Sequence, residues 1–219
     1  LQAVVDEVEA AGGEVVAVPT DITDRAACQR LVETTLERFG RIDVLVQNGH
    51  YDGDYKIVAD SDPDDLRAIV EVNLFGALHL VQLVATAMRA QRDGRIVLIN
   101  TGASTDPPPT LGAYAASKAA LASLARTVAV ELGPDGIRAN GVQLGPVQGE
   151  NWQGWVEAGS KAAGTTREEF EREQCKDVPL RSVPTPDECA GAVVFLASDL
   201  AAQVTGQSLA VNGGRWFVS

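Results

Sequence analysis

Apolar runs alternate with helical stretches from one end of this chain to the other. Glu14-Val-Val-Ala-Val-Pro19 reads as a short buried strand. Asp24 then stands where it can cap a helix that runs to about Gly40. Ile42-Asp-Val-Leu-Val-Gln47 predicts a second strand, and a long helical region covers about Asp62 to Arg92. Gly94-Arg-Ile-Val-Leu-Ile-Asn100 predicts a third strand, followed by an Ala-rich helix that holds Tyr114 and reaches about Gly133. A fourth strand is expected over Gly136–Gln143, a helix near Pro186–Ser198 and a last strand over Gln207–Asn212. Continuous apolar strands alternating with helices predict an α/β fold. Its form would be a parallel sheet in three layers, with helices on both faces. The one irregular region, 147–184, holds Trp152 and Trp155 and keeps a helical periodicity, so an ordered lid of short helices is expected there.

Composition narrows the picture. The chain has 219 residues, 45% of them hydrophobic, enough for one domain with a sizeable core. Its net charge is −12, spread along the sequence, which argues against nucleic acid or an anionic membrane as partner. Neither an apolar run of transmembrane length nor a signal peptide is expected. Cys28, Cys175 and Cys189 are far apart and odd in number, so free thiols in a reducing cytoplasm are expected. With only His50 and His79, no histidine-based metal site is expected, and His79 reads as a packing residue.

Ligands in open parallel sheets bind beyond the C-terminal strand ends. Asp21, Asn48, Thr101 and the turn Leu144–Gly149 fall there. Tyr114 and Lys118 add a phenol and an ammonium four residues apart, on one face of the predicted helix. A positive neighbour would stabilise the phenolate and bring the phenol toward the working range, making it a proton donor and acceptor.

Six segments together resemble the short-chain dehydrogenase/reductase family over essentially the whole chain. Leu45-Val-Gln-Asn-Gly-His50 is similar to its L-V-N-N-A-G segment. Asn73 in Val72-Asn-Leu-Phe-Gly76 matches the asparagine of the central helix, and Gly94–Thr101 matches the strand that ends in the catalytic serine. Tyr114 and Lys118 match Y-x-x-x-K, and Leu144-Gly-Pro-Val147 aligns with the turn that meets the nicotinamide. Thr205–Gly214 resembles the terminal T-G-Q-x-L-x-V-D-G-G. The resemblance implies a Rossmann-type doubly wound parallel α/β sheet, NAD or NADP as cofactor, an alcohol or ketone as substrate, and a homodimer or homotetramer. It implies catalytic roles for Asn73, Thr101, Tyr114 and Lys118. Cofactor contacts would come from Asp21, Ile22, Asn48, Gly49, His50, Tyr114, Lys118, Gly145 and Val147.

The chain also departs from that pattern. It opens on what looks like the helix before the family's third strand, so the glycine-rich T-G-x-x-x-G-x-G turn is not in it, and a strand–helix–strand unit is expected to be missing. Thr101 stands for serine, Gln47 and His50 alter the N-N-A-G segment, and Leu144 and Gly149 alter the nicotinamide turn. Two functions lead, with a dehydratase or epimerase on the same fold as a lesser third. The leading one is an NAD(P)-dependent oxidoreductase with Tyr114 as general acid/base. The alternative is a non-catalytic subunit or regulatory protein of the same fold with impaired cofactor binding.

Overall fold

The computed structural model of the protein describes residues 1–217. Four parallel strands form one sheet: β1 (Val44–Gln47), β2 (Gly94–Thr101), β3 (Ile137–Leu144) and β4 (Ser208–Val211), side by side in that order. β2 and β3 pair along their whole length, from Gly94 opposite Ile137 to Thr101 opposite Leu144. Thr101 and Leu144 therefore end at the same height, above the C-terminal edge where ligands bind in such sheets.

Side chains alternate across the sheet. Ile96, Leu98, Ile137 and Ala139 enter one core, while Val97, Ile99 and Val142 enter the other. α1 (Gln2–Ala10) buries none of its residues, and the first core is closed by α2 (Arg25–Phe39), α4 (Ala77–Gln91) and α5 (Gly112–Leu132). The second is closed by α8 (Pro186–Ala197), which packs on β2, β3 and β4. Among the described residues nothing covers β1 on that side, and Val44 and Val46 stay 38% and 44% exposed. Helices over the whole of both faces, as the pattern predicts, are thus found on one face and only part of the other.

The strand expected at Glu14–Pro19 is not one. That segment carries no regular structure and pairs with no strand among the described residues, and Val16 is exposed. Apolar alternation cannot make a strand where no neighbour takes up the backbone hydrogen bonds.

Helix starts follow their sequence signals. The Asp24 carboxylate accepts from the Ala26 amide at 2.8 Å, and Gly40 closes α2 in the left-handed region at φ 76°. Thr185 and Glu188 form a capping box around Pro186 at the start of α8. The long helical region has three parts: α3 (Pro63–Val70), a π-helical turn over Glu71–Gly76, and α4. Because the π turn keeps the helix continuous, Pro63–Gln91 is 29 residues long and apolar enough, by length and composition alone, to cross a bilayer. That corrects the expectation that no run reaches this length. Its inward residues, Ile69, Ala77, Leu80, Val81, Val84 and Met88, are buried in the protein's own core.

Segment 147–184 folds as α6 (Glu150–Ala163) and α7 (Arg167–Gln174). Their cluster joins Trp152, Val156, Cys175 and Val183, with Phe170 packed against it. Trp155 lies 5.0 Å from Trp152 and 5.1 Å from Phe170, between ring centroids. These aromatics hold the two helices together. All three cysteines are free and buried.

Candidate active site

The C-terminal end of β2 is fastened to α5. Asn100 Nδ2 donates to the Lys118 carbonyl at 3.0 Å, and Lys118 Nζ donates to the Ile99 carbonyl at 3.0 Å. Lys118 is 2% exposed, and this burial pushes its ammonium down to about 8, while the Asp52 carboxylate pulls the other way. Tyr114 lies one turn earlier, with Lys118 Nζ 5.9 Å from its ring centroid. Burial, then the charge of Asp52, holds the phenol well above its usual range, and hydrogen bonding to the Thr101 hydroxyl acts against them. The sequence leads one to expect a phenol made acidic by Lys118. Instead desolvation dominates, and the ammonium is committed to a backbone carbonyl.

Thr101 caps the turn that follows β2. Its Oγ1 accepts from the Ala103 amide at 3.3 Å, which leaves its own proton free to donate elsewhere. The turn is braced from beneath. Ser104 Oγ donates to the Thr101 carbonyl at 2.7 Å, and Gln143 Nε2 reaches the same carbonyl at 3.2 Å. Gly102 is required here, because a Cβ at this position would run into the Trp216 ring. Gln143 and Gln47, both buried, each keep one side-chain oxygen without a partner among the described residues.

Asn73 sits at 0% exposure in the π turn. Its Nδ2 donates to the Tyr51 carbonyl and to Ser117 Oγ, both at 2.9 Å, and its Oδ1 accepts from the Tyr51 amide at 2.8 Å. Ser117 Oγ in turn donates to the Tyr114 carbonyl at 2.7 Å. One side chain therefore ties the loop after β1 to the helix of the Tyr/Lys pair. A π turn costs helix hydrogen bonding and recurs at functional sites.

The loop after β1 carries Asn48, Gly49 and His50, all exposed. His50 Nε2 lies 3.2 Å from Asp52 Oδ1, and its ring centroid is 6.3 Å from that of Tyr114. The hydrogen bond to Asp52 raises the imidazole, and the same bond lowers the Asp52 carboxylate. Tyr55 Oη donates to the other Asp52 oxygen at 3.0 Å. Gly145 adjoins Asn212 and Trp216, and Val147 borders a cavity of about 460 Å³ with Val46, Asn48, Ile99, Leu144 and Cys189. Asp21 is exposed, its Oδ1 accepting from the Thr23 amide and hydroxyl, so Asp24 alone caps α2. Ile22 fills the space between Gly49 and Gly76, and its carbonyl meets His79 Nδ1 at 3.2 Å, which gives His79 a packing role.

Tyr114, Lys118, Thr101, Asn73 and His50 thus converge above β1 and β2, with Gly145 and Val147 on the β3 side and Asp21 apart at the surface. Sequence reasoning missed Asp52, Tyr55, Ser117 and Gln143. Ser117, just before Lys118, carried a faint signal; Asp52 is one of several acidic residues in its loop and carried none. Among the described residues no group of three or more His, Cys, Asp or Glu side chains is placed to hold a metal.

Comparison with known proteins adds to this geometry. A family model described as enoyl-(acyl carrier protein) reductase matches residues 1–215. The chain is 32% identical over 211 residues to a 7alpha-hydroxysteroid dehydrogenase of Escherichia coli (strain K12), covering 96% of this chain and 78% of that protein. It is 35% identical over 211 residues to an L-rhamnose 1-dehydrogenase (NAD(P)(+)) of Azotobacter vinelandii, covering 95% and 78%. The crystal structure of an NAD+-bound xylitol dehydrogenase superposes with a TM-score of 0.86 at 30% identity, covering 98% of this chain and 86% of that one. With its parallel sheet and the Tyr/Lys pair beyond β2, the chain belongs to the short-chain dehydrogenase/reductase family.

Proposed function

We propose that the protein interconverts an alcohol and a ketone, with Tyr114 moving the proton. The chain is an oxidoreductase of this family acting on CH–OH groups, and NAD or NADP is its cofactor. The observation that carries the mechanism is the convergence of Tyr114, Lys118, Thr101 and Asn73 at one end of the sheet.

The bound dinucleotide supplies the hydride in reduction and accepts it in oxidation. Tyr114 stays protonated in the free protein, the state needed to donate to the oxygen of a ketone being reduced. Thr101 accepts from the Ala103 amide and so presents its own O–H to that oxygen, where negative charge builds. Lys118 keeps N–H donors beyond the one given to Ile99, and these suit a ribose hydroxyl. At pH 7 its ammonium is charged, a form that the Asp52 carboxylate favours. Asn73 holds the loop after β1 against α5 and so fixes where Tyr114 stands.

The cavity bordered by Val147, Leu144, Ile99 and Asn48 suits a flat ring with one polar edge, so the nicotinamide end is assigned there, beside Gly145. Asn48, Gly49 and His50 would face its ribose, and Asp21 with Ile22 would meet the adenine. α6 and α7 act as the substrate lid. The outward sides of the long helices, where Phe75 and Val130 are exposed, would form the homodimer or homotetramer contact. The free thiols suit a cytoplasmic location.

The test is a turnover panel with NAD and NADP against xylitol, L-rhamnose, a 7α-hydroxy bile acid and a 3-oxoacyl thioester, followed by nicotinamide absorbance. Turnover of at least one substrate is expected. Cofactor binding with no turnover on any of them would contradict the reading.

A further inference from the structure

The His50–Asp52 pair stands beside the proton-transfer group, and beyond the ribose contact given to His50 it has no part in the roles assigned so far. His50 occupies the place where the resembled family pattern carries glycine. Its imidazole is half-exposed, 3.2 Å from Asp52 Oδ1 and 6.3 Å, centroid to centroid, from the Tyr114 ring. Asp52 is fixed from both sides, by His50 on one oxygen and by the Tyr55 hydroxyl on the other. The groups that face this pair are few. From its own loop they are Tyr55, and from α5 they are Tyr114 and Lys118. Asp65 of α3 points to the far side of the loop, toward Tyr51 Oη at 3.4 Å and the Asp54 amide at 3.1 Å.

We infer that His50 and Asp52 are positioning residues whose joint charge sets the pH at which the Tyr114–Lys118 pair gives up its protons. This rests on Tyr114 being the proton-transfer group. With the imidazole protonated, the pair is a neutral ion pair. With the imidazole neutral, Asp52 stands as a bare carboxylate beside a buried phenol and a buried ammonium. A carboxylate favours the protonated form of both, so it delays loss of the phenol proton and holds the ammonium charged. The imidazolium acts in the opposite sense on Lys118, as like charges repel.

Two measurements decide it. The first needs no substrate. The chain has four lysines, Lys56, Lys118, Lys161 and Lys176, and only Lys118 is buried. NMR of 13C-labelled lysine therefore follows Lys118 as the one resonance that titrates near 8, identified by its loss in Lys118→Met. Asp52→Asn is expected to lower that midpoint by roughly one pH unit, the effect of a nearby unit charge in a partly exposed site. His50→Gln is expected to raise it. The second measurement is the pH profile of kcat/KM for alcohol oxidation on xylitol, L-rhamnose or the bile acid. Its rising limb is expected to move down in Asp52→Asn.

A Lys118 midpoint that stays in place in both variants overturns the inference. So does a limb that stays in place while KM alone changes, since that would make the pair a substrate contact. If Tyr114→Phe keeps its turnover, the mechanism itself fails. If Tyr114→Phe is inactive and the dyad variants shift nothing, only this inference fails.

Discussion

Lys118 shows how a single residue is placed against its own stability. A fall from 10.5 to about 8 corresponds to roughly 3 kcal/mol of unfavourable burial at neutral pH. Because the folded value is depressed below that of the unfolded chain, the folded state binds fewer protons between about 8 and 10.5, and stability rises with pH through that window. Lys118→Met removes the buried charge but leaves the Ile99 carbonyl without its donor, a loss of about 1 kcal/mol. The variant should be more stable than the parent by roughly 2 kcal/mol at pH 7, and the gain should shrink by pH 10 in urea denaturation. Asn73 has the opposite character. Asn73→Ala strips three hydrogen bonds from a fully buried position, so a loss of roughly 2–4 kcal/mol is expected by the same measurement, together with slower turnover. Both residues stood out in the sequence, but their partners did not. Nothing in the order of residues says that Asn73 reaches Tyr51 and Ser117, or that Lys118 donates a hydrogen bond to the Ile99 carbonyl, because those contacts exist only once β2 and α5 have packed.

At the scale of elements, the π turn is where local sequence and tertiary packing meet. Gly76 ends it, and a Cβ there would sit 2.8 Å from Ile22 Cγ1. Gly76→Ala should therefore cost roughly 1–3 kcal/mol, despite alanine's higher helix propensity. Ile22→Ala in the same chain should recover part of that cost, a coupling that a double-mutant cycle on thermal unfolding reads directly. The helices and four of the five expected strands were legible because their signals are local: Asp24 and Thr185 as caps, Gly40 as a stop, and valine and isoleucine runs in β2 and β3. Glu14–Pro19 had the same kind of signal and failed, since a strand also needs a partner, and a parallel partner is remote in sequence. The π turn was illegible for a related reason, as its extra residue serves Asn73 and the neighbouring loop more than the helix itself.

The whole molecule is a parallel sheet with one face closed and the other open beside β1. Trp152 and Trp155 belong to the α6–α7 cluster, and Trp216 packs against Gly102 and Gly145 next to the strand ends. A cofactor seated beside Gly145 should therefore change Trp216 fluorescence, and the Trp216→Phe variant should lose that signal while still binding. The position of the Tyr114–Lys118 pair was legible as the end of β2 and the first turns of α5. Its electrostatics were not, because the carboxylate that faces it comes from Asp52 in a loop with no periodicity. The central claim is that Tyr114 carries the proton, and the most direct measurement of it is kcat/KM for Tyr114→Phe beside the dissociation constant for NAD(P)H. The account predicts a fall of about 10³-fold or more in kcat/KM with cofactor affinity kept within about threefold. A variant that retains turnover within about tenfold of the parent would contradict it.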